Sequence, residues 1–242
     1  MHIRAMAPGV RIHRVVREPD ISRYPFQRQR QLRKLNGDQT KESFIMPRIS
    51  PAEASAAPEI EKLMAGMIEN MGFPANSFLT MSHWPELALA FANLARTVNF
   101  TESELPTATK RLIGHVVSRS SGCEYCSAHT AFQATRSGGV EAEKIEAAFE
   151  YETNPLFTEA ERAALRVAQG AAAVPNAVTD EDFEELKKHY SDRQIVEIVA
   201  QISMFGFLNR WNDTMATELE GTPIKYAEEH LAGGGWEIGK HA

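Results

Sequence analysis

The stretch Val116-Val117-Ser118-Arg119-Ser120-Ser121-Gly122-Cys123-Glu124-Tyr125-Cys126-Ser127-Ala128-His129-Thr130 joins two helical patterns across a short break and holds the chain's two cysteines. Upstream, Pro106 opens a helical pattern in which Leu112, Ile113, Val116 and Val117 recur at intervals of three and four, and Ser120-Ser121-Gly122 interrupts it. Downstream, Ser121 and Glu124 have the spacing of a capping box, which predicts a new helix with Ser121 as N-cap and a stop at Gly138-Gly139. On that reading Cys123 is the second helical residue and Cys126 the fifth. Both then lie where free amides and the helix macrodipole favour negative charge.

Working outward, the same punctuation repeats. Pro58 precedes Ile60, Leu63, Met64, Met67 and Ile68, a stripe that Gly72 can end, and Trp84-Pro85 precedes Leu87, Leu89, Phe91, Leu94 and Val98. Capping-box spacing recurs at Thr158 to Glu161 and Ser191 to Gln194, with a weaker version at Thr179 to Asp182. Each precedes amphipathic sequence, and no run of alternating β-branched residues competes. From Met46 onward the chain reads as all-α. Its Met, Leu and Phe residues at helical spacing are core material. The last long helix is expected from about Ser191 to Leu219, with Arg210 partly buried and paired to Asp213 or Glu218. Residues 226–242 read as a tail made flexible by Gly233-Gly234-Gly235, with Trp236 docking on a neighbour.

Composition sets the outer limits. The chain has 242 residues, 43% of them hydrophobic and 24% charged, values that exclude collagen-like, fully disordered and disulfide-stapled classes. No apolar run approaches the roughly 18 residues of a membrane span, so neither a membrane partner nor a membrane location is expected. The net charge of −6 conceals an asymmetry: residues 1 to 45 hold 10 Lys or Arg against 4 acids, and the remainder 16 against 28. Residues 1–45 are therefore expected to be a basic extension of little regular structure. It reads as a solvated tail, or an extension upstream of a start at Met46, rather than a nucleic-acid arm. It lacks the continuous apolar stretch of a secretory signal, and a cytoplasmic location is expected.

Two cysteines three positions apart cannot staple distant parts of a fold. Their spacing puts both sulfurs on one helix face, close enough to close a local disulfide, and placement at a helix start lowers a thiol's pKa. His129, three residues after Cys126, shares that face and can exchange a proton with the thiol or with a leaving group. Peroxide reduction needs these parts: a thiolate to attack the O–O bond, an acid for the departing alkoxide, and a second thiol to capture the sulfenic acid. A dithiol protein then reduces the disulfide by exchange. Cys126, Cys123 and His129 are thus the candidate catalytic residues, acting on a small hydroperoxide with no metal or organic cofactor. A zinc site is the weaker reading. Cys123, Cys126, His129 and His115 would be its ligands, but no second Cys pair completes the usual pattern. An inert pair of core cysteines is the structural alternative.

The motif resembles the alkylhydroperoxidase AhpD-like family, grouped with the carboxymuconolactone decarboxylase family. Leu156 to Leu165 and Phe207 to Asp213 add to the likeness, which spans about residues 46–225. The resemblance implies an antiparallel helical bundle that forms homo-oligomers, and a peroxidase or disulfide reductase in which Cys126 attacks and Cys123 resolves. Three positions depart from the family's well-studied peroxidases. Arg111 stands where they have a glutamate, Tyr125 where a His precedes the second Cys, and Thr130 where their final His falls, with His129 one position early. His115, Glu124 or an acid from another helix would then have to serve in the proton relay. The family name also offers a lyase acting on a small lactone, which would not depend on a Cys pair. A non-enzymatic redox sensor is the third reading.

Overall fold

The computed structural model describes residues 47–53 and 58–242; the basic extension lies outside the described residues. Among these the elements are α1 (Pro58–Met71), α2 (Asn76–Met81), α3 (Pro85–Phe100), α4 (Thr107–Ser120), α5 (Glu124–Ser137), α6 (Ala142–Glu146), α7 (Glu159–Ala172), α8 (Asp180–Lys187), α9 (Asp192–Met215) and α10 (Gly221–His230), with no strand. Short 3-10 turns follow at Ala148–Glu150, Ala232–Gly234 and Gly239–His241. The fold is all-α, as the sequence indicates.

Local chemistry starts and stops these helices where the sequence places the signals. Pro85 opens α3, and Gly72 follows α1 with φ +91°, a left-handed turn that glycine adopts without steric cost. Capping boxes form at Thr158/Glu161, Thr179/Asp182 and Ser191/Gln194, each pairing a hydroxyl with the third helical amide and returning an acceptor to the cap's own amide. The fourth expected box, Ser121/Glu124, does not form. Ser121 and Gly122 instead complete the end of α4: the Gly122 amide donates to the Arg119 carbonyl and the Cys123 amide to that of Ser118, with Gly122 at φ +71°. This is a Schellman closure. It uses the residues that the capping box would have needed, so α5 begins later and its N-cap is Cys123.

The α4–α5 pair forms the centre of the molecule. Leu112, Ile113, Val116 and Val117 are fully buried, and α4 packs against α5, α7 and α9. The approach of α9 is close at Gly114, where a Cβ would stand 2.6 Å from Cε2 of Phe205.

The chain beyond α9 departs most from expectation. The long helix ends at Met215, not near Leu219, because Ala216 takes a left-handed conformation (φ +49°), and α10 turns back onto α5. Arg210 is exposed, and Asp213 pairs with Lys240 at 2.7 Å rather than with Arg210. The stretch read as a flexible tail packs on its own chain: Leu231 and Trp236 join the main core, and the Trp236 indole donates to the Glu124 carbonyl at 3.0 Å. The Leu219 amide, donating to the His241 carbonyl at 2.9 Å, fixes the final turn.

Gly114→Ala tests the central contact. Helix propensity alone favours alanine by about 1 kcal/mol, whereas overpacking against Phe205 costs about 1–3 kcal/mol. Denaturant unfolding of the variant is expected to show a net loss of stability.

Candidate active site

The Schellman closure of α4 delivers Cys123 directly to the N-cap of α5. There its sulfur takes the role that a Ser or Asp oxygen plays elsewhere, accepting from the Cys126 amide at 3.4 Å. Both cysteines are free and buried. From α9, Asn212 donates its side-chain amide to the Cys126 sulfur at 3.3 Å, the contact a thiolate accepts. The expectation that the helix start lowers the Cys123 pKa is overturned. Burial pushes that thiol well above its ordinary value, and the hydrogen bond and proximity of Cys126 add to the rise. The macrodipole contributes only fractions of a kcal/mol up to about 2, less than desolvation of a thiolate with no exposed surface.

His129 lies one turn beyond Cys126, with Nε2 2.5 Å from Oε2 of Glu220. A carboxylate only accepts, so Nε2 carries a proton and Nδ1 is left for exchange. Glu220 was not among the expected residues. It stands at the N-cap of α10, but its carboxylate turns inward and makes no bond to its own helix. Oε1 accepts from the Asn76 amide at 2.5 Å and from the Tyr125 hydroxyl at 2.9 Å, and that hydroxyl accepts in turn from the Ser77 amide. Burial by itself raises the Glu220 carboxyl, but the charge and hydrogen bond of His129, with the Asn76 amide, outweigh it and hold the group below its ordinary value. The His129 ring stacks on Tyr125 at 4.5 Å and meets the edge of Phe73 at 5.7 Å.

The two residues suggested for a proton relay sit elsewhere. His115, on α4, is fully buried, and Nδ1 faces the Thr130 hydroxyl at 3.2 Å. That hydroxyl donates to the Cys126 carbonyl at 2.7 Å, so it accepts from His115. Burial and the positive charge of Arg119 bring the His115 pKa down to about 3, so its ring is neutral at neutral pH. Glu124 is half-buried at the start of α5, with its carbonyl engaged by Trp236. Arg111 reaches Gln133 at 3.1 Å. Among the described residues no cluster of three or more His, Cys, Asp or Glu side chains has metal-holding geometry.

Near the thiols several buried polar atoms have no partner among the described residues. They include both amide atoms of Asn209, the carbonyl of Asn212 and Nε2 of His115. Asn209 and Asn212 share a face of α9. Orphaned polar atoms beside a reactive pair are where a small polar molecule finds partners.

The carboxymuconolactone decarboxylase family matches residues 85–170. The debrominase Bmp8 is 39% identical, over 75% of this chain and 96% of its own, with a TM-score of 0.69. The chain belongs to the carboxymuconolactone decarboxylase family. A variant of Bmp8 in complex with 2,3,4-tribromopyrrole is 37% identical over 77% of this chain and 99% of its own, with a TM-score of 0.71. A peroxidase-related protein from Ralstonia eutropha JMP134, with an alkylhydroperoxidase AhpD core, shares the fold at 22% identity over 76% and 96% of the two chains and a TM-score of 0.65. The AhpD-like architecture is therefore shown, and it includes members with different chemistry.

Glu220→Gln keeps a side chain able to meet Tyr125 and Asn76 but removes the charge. Because the folded carboxyl titrates below its ordinary value of 4.5, the stability it adds is fully present above about pH 4.5 and is lost as pH falls through the lowered value. The variant is expected to be less stable than wild type by about 1–3 kcal/mol at neutral pH, and the difference in urea unfolding is expected to shrink in acid.

Proposed function

We propose that the protein is a dithiol oxidoreductase that delivers two electrons to a small electrophile, a hydroperoxide in the first reading. The observation that supports it is the pair of buried cysteines at one helix start, the Cys126 amide donating to the Cys123 sulfur, with the His129–Glu220 pair one turn further on. The Cys126 sulfur attacks the outer oxygen of the hydroperoxide, and the O–O bond breaks. The alkoxide takes a proton and leaves as the alcohol, while Cys126 becomes a sulfenic acid. His129, oriented by Glu220, supplies that proton. Cys123 then attacks the Cys126 sulfur, the S–O bond breaks, and water leaves as the disulfide forms. An external dithiol protein restores the thiols by exchange.

A second electrophile fits the same sequence of bonds. Bmp8 is a debrominase: were the Cys126 thiolate to take bromine from an electron-rich ring, the C–Br bond would break, the ring carbon would keep the electron pair and take a proton from His129, and Cys123 would then displace bromide from the sulfenyl bromide as the same disulfide closes. Phe73, Tyr125 and, through Phe73, Phe132 gather aromatic rings at His129, the surroundings in which an aromatic substrate would find stacking partners. The lyase reading leaves both thiols without a task.

Hydroperoxide consumption and bromide release from a bromopyrrole, each with a small dithiol as reductant, decide between substrates. Cys123→Ser and Cys126→Ser are expected to lower the productive rate by at least about 100-fold. Equal rates in wild type and both variants would remove the proposal, and lactone turnover that survives loss of both cysteines would put the lyase in its place.

A further inference from the structure

The buried polar edge of α9 is ill suited to holding the fold together. Asn209 and Asn212, one turn apart, are 4% and 1% exposed, and three of their four side-chain polar atoms have no partner among the described residues. Leaving such atoms dry is costly, and apolar side chains of the same shape would serve packing better. The one bond that is made goes to a sulfur: Nδ2 of Asn212 lies 3.3 Å from Sγ of Cys126. The main chain fixes Asn212 in place. Where α9 ends in the left-handed turn at Ala216, the Ala216 and Thr217 amides both donate to the Asn212 carbonyl, the second at 3.2 Å. From that anchored turn the side chain reaches across to α5.

In other respects the two sulfurs are alike. Both are buried and each accepts one N–H, Cys123 from the Cys126 amide at 3.4 Å and Cys126 from Asn212. The main-chain amide at Cys123 belongs to a helix whose carbonyls point the other way, so it brings no acceptor with it. The carboxamide at Cys126 does. Oδ1 of Asn212 is bonded to the same carbon as Nδ2, so an unpaired acceptor stands within one carboxamide width of this sulfur.

We propose that the Asn212 carboxamide makes Cys126 the attacking thiol: its N–H steadies the thiolate while Oδ1 accepts from the outer O–H of the hydroperoxide, so one planar group aligns both reacting atoms. A hydrogen bond to a charged sulfur is stronger than one to a neutral thiol, so the N–H favours the reactive form. In the attack the S–O bond forms at the outer oxygen as the O–O bond breaks, and the hydrogen held by Oδ1 stays on that oxygen as the sulfenic acid O–H. The S–H proton of Cys126 ends on the departing alkoxide through the His129 relay described above. The substrate class is therefore an electrophile with a donor hydrogen on or beside the reacting atom. The ring N–H of a 2-bromopyrrole, next to the carbon that bears bromine, meets the same condition. The assignment rests on the dithiol reading above.

Asn212→Leu keeps the branched outline and removes both arms. Because packing does not need the carboxamide, urea unfolding is expected to place the variant at or above the stability of wild type, and a failure to fold would overturn the proposal. Methyl methanethiosulfonate, a small neutral probe with no N–H or O–H, reads the N–H arm. In a Cys123→Ser background Asn212→Leu is expected to slow its reaction with Cys126 by about 10-fold at neutral pH, while in a Cys126→Ser background it leaves Cys123 unchanged. Equal effects on the two thiols, or none on Cys126, would overturn the assignment. tert-Butyl hydroperoxide reads both arms. Dimedone trapping of the Cys126 sulfenic acid is expected to slow by at least about 100-fold, and a loss no larger than that with the thiosulfonate would overturn the Oδ1 contact. With Asn212 intact, the same trapping is expected on Cys126 and at least about 10-fold slower on Cys123; the reverse order overturns the proposal without any substitution of Asn212. Absence of reaction with hydroperoxide or bromopyrrole in wild type would count against the dithiol reading alone, because the thiosulfonate comparison needs no substrate.

Discussion

A carboxylate brought inside the bundle at Glu220 organises the rest of this site. Its two oxygens gather an amide from the start of α2, a phenol from α5 and an imidazole from α5, so three segments far apart in sequence meet at one charge. Such a group is costly to bury without partners and is stabilised when all of them are present. The left-handed turn at Ala216 that ends α9 follows from the same need, since a continuous helix would carry residue 220 away from α5.

The thiols obey a second constraint. The Schellman closure that ends α4 places Cys123 where it caps α5, and the interhelical core leaves both sulfurs dry. Dryness protects a thiol from adventitious oxidation and also withholds the solvent that would ionise it. The polar groups that the fold brings to the pair are Asn212, which donates to the Cys126 sulfur, and His129 with Glu220 one turn beyond.

Much of the architecture was legible because its signals are local. Hydroxyl-x-x-acid spacing starts α7, α8 and α9, Pro85 starts α3, and Gly72 follows α1, each needing only a few neighbouring residues to act. The Ser121/Glu124 pattern failed for an equally physical reason, since the same residues could either end one helix or begin the next, and the close Gly122 turn decided for the ending. The cysteines and His129 were legible as a cluster in sequence. Glu220 and Asn76 were not, because each reaches the site through tertiary packing and carries no spacing relationship to the Cys pair. The Arg210 expectation failed likewise: Asp213 is a plausible partner by helical spacing, but Lys240 from a distant turn reaches it first.

The packing of residues 236–241 has a practical side. The Trp236 indole meets the start of α5, and the turn Gly239–His241 packs on the same helix with the His241 ring buried. A peptide joined after Ala242 therefore enters beside a turn that packs on α5, the helix that carries Cys126 and His129. Affinity tags and reporter fusions at that position are poorly placed for functional work, while the segment before Pro58 offers a join remote in sequence from every residue of the dithiol environment.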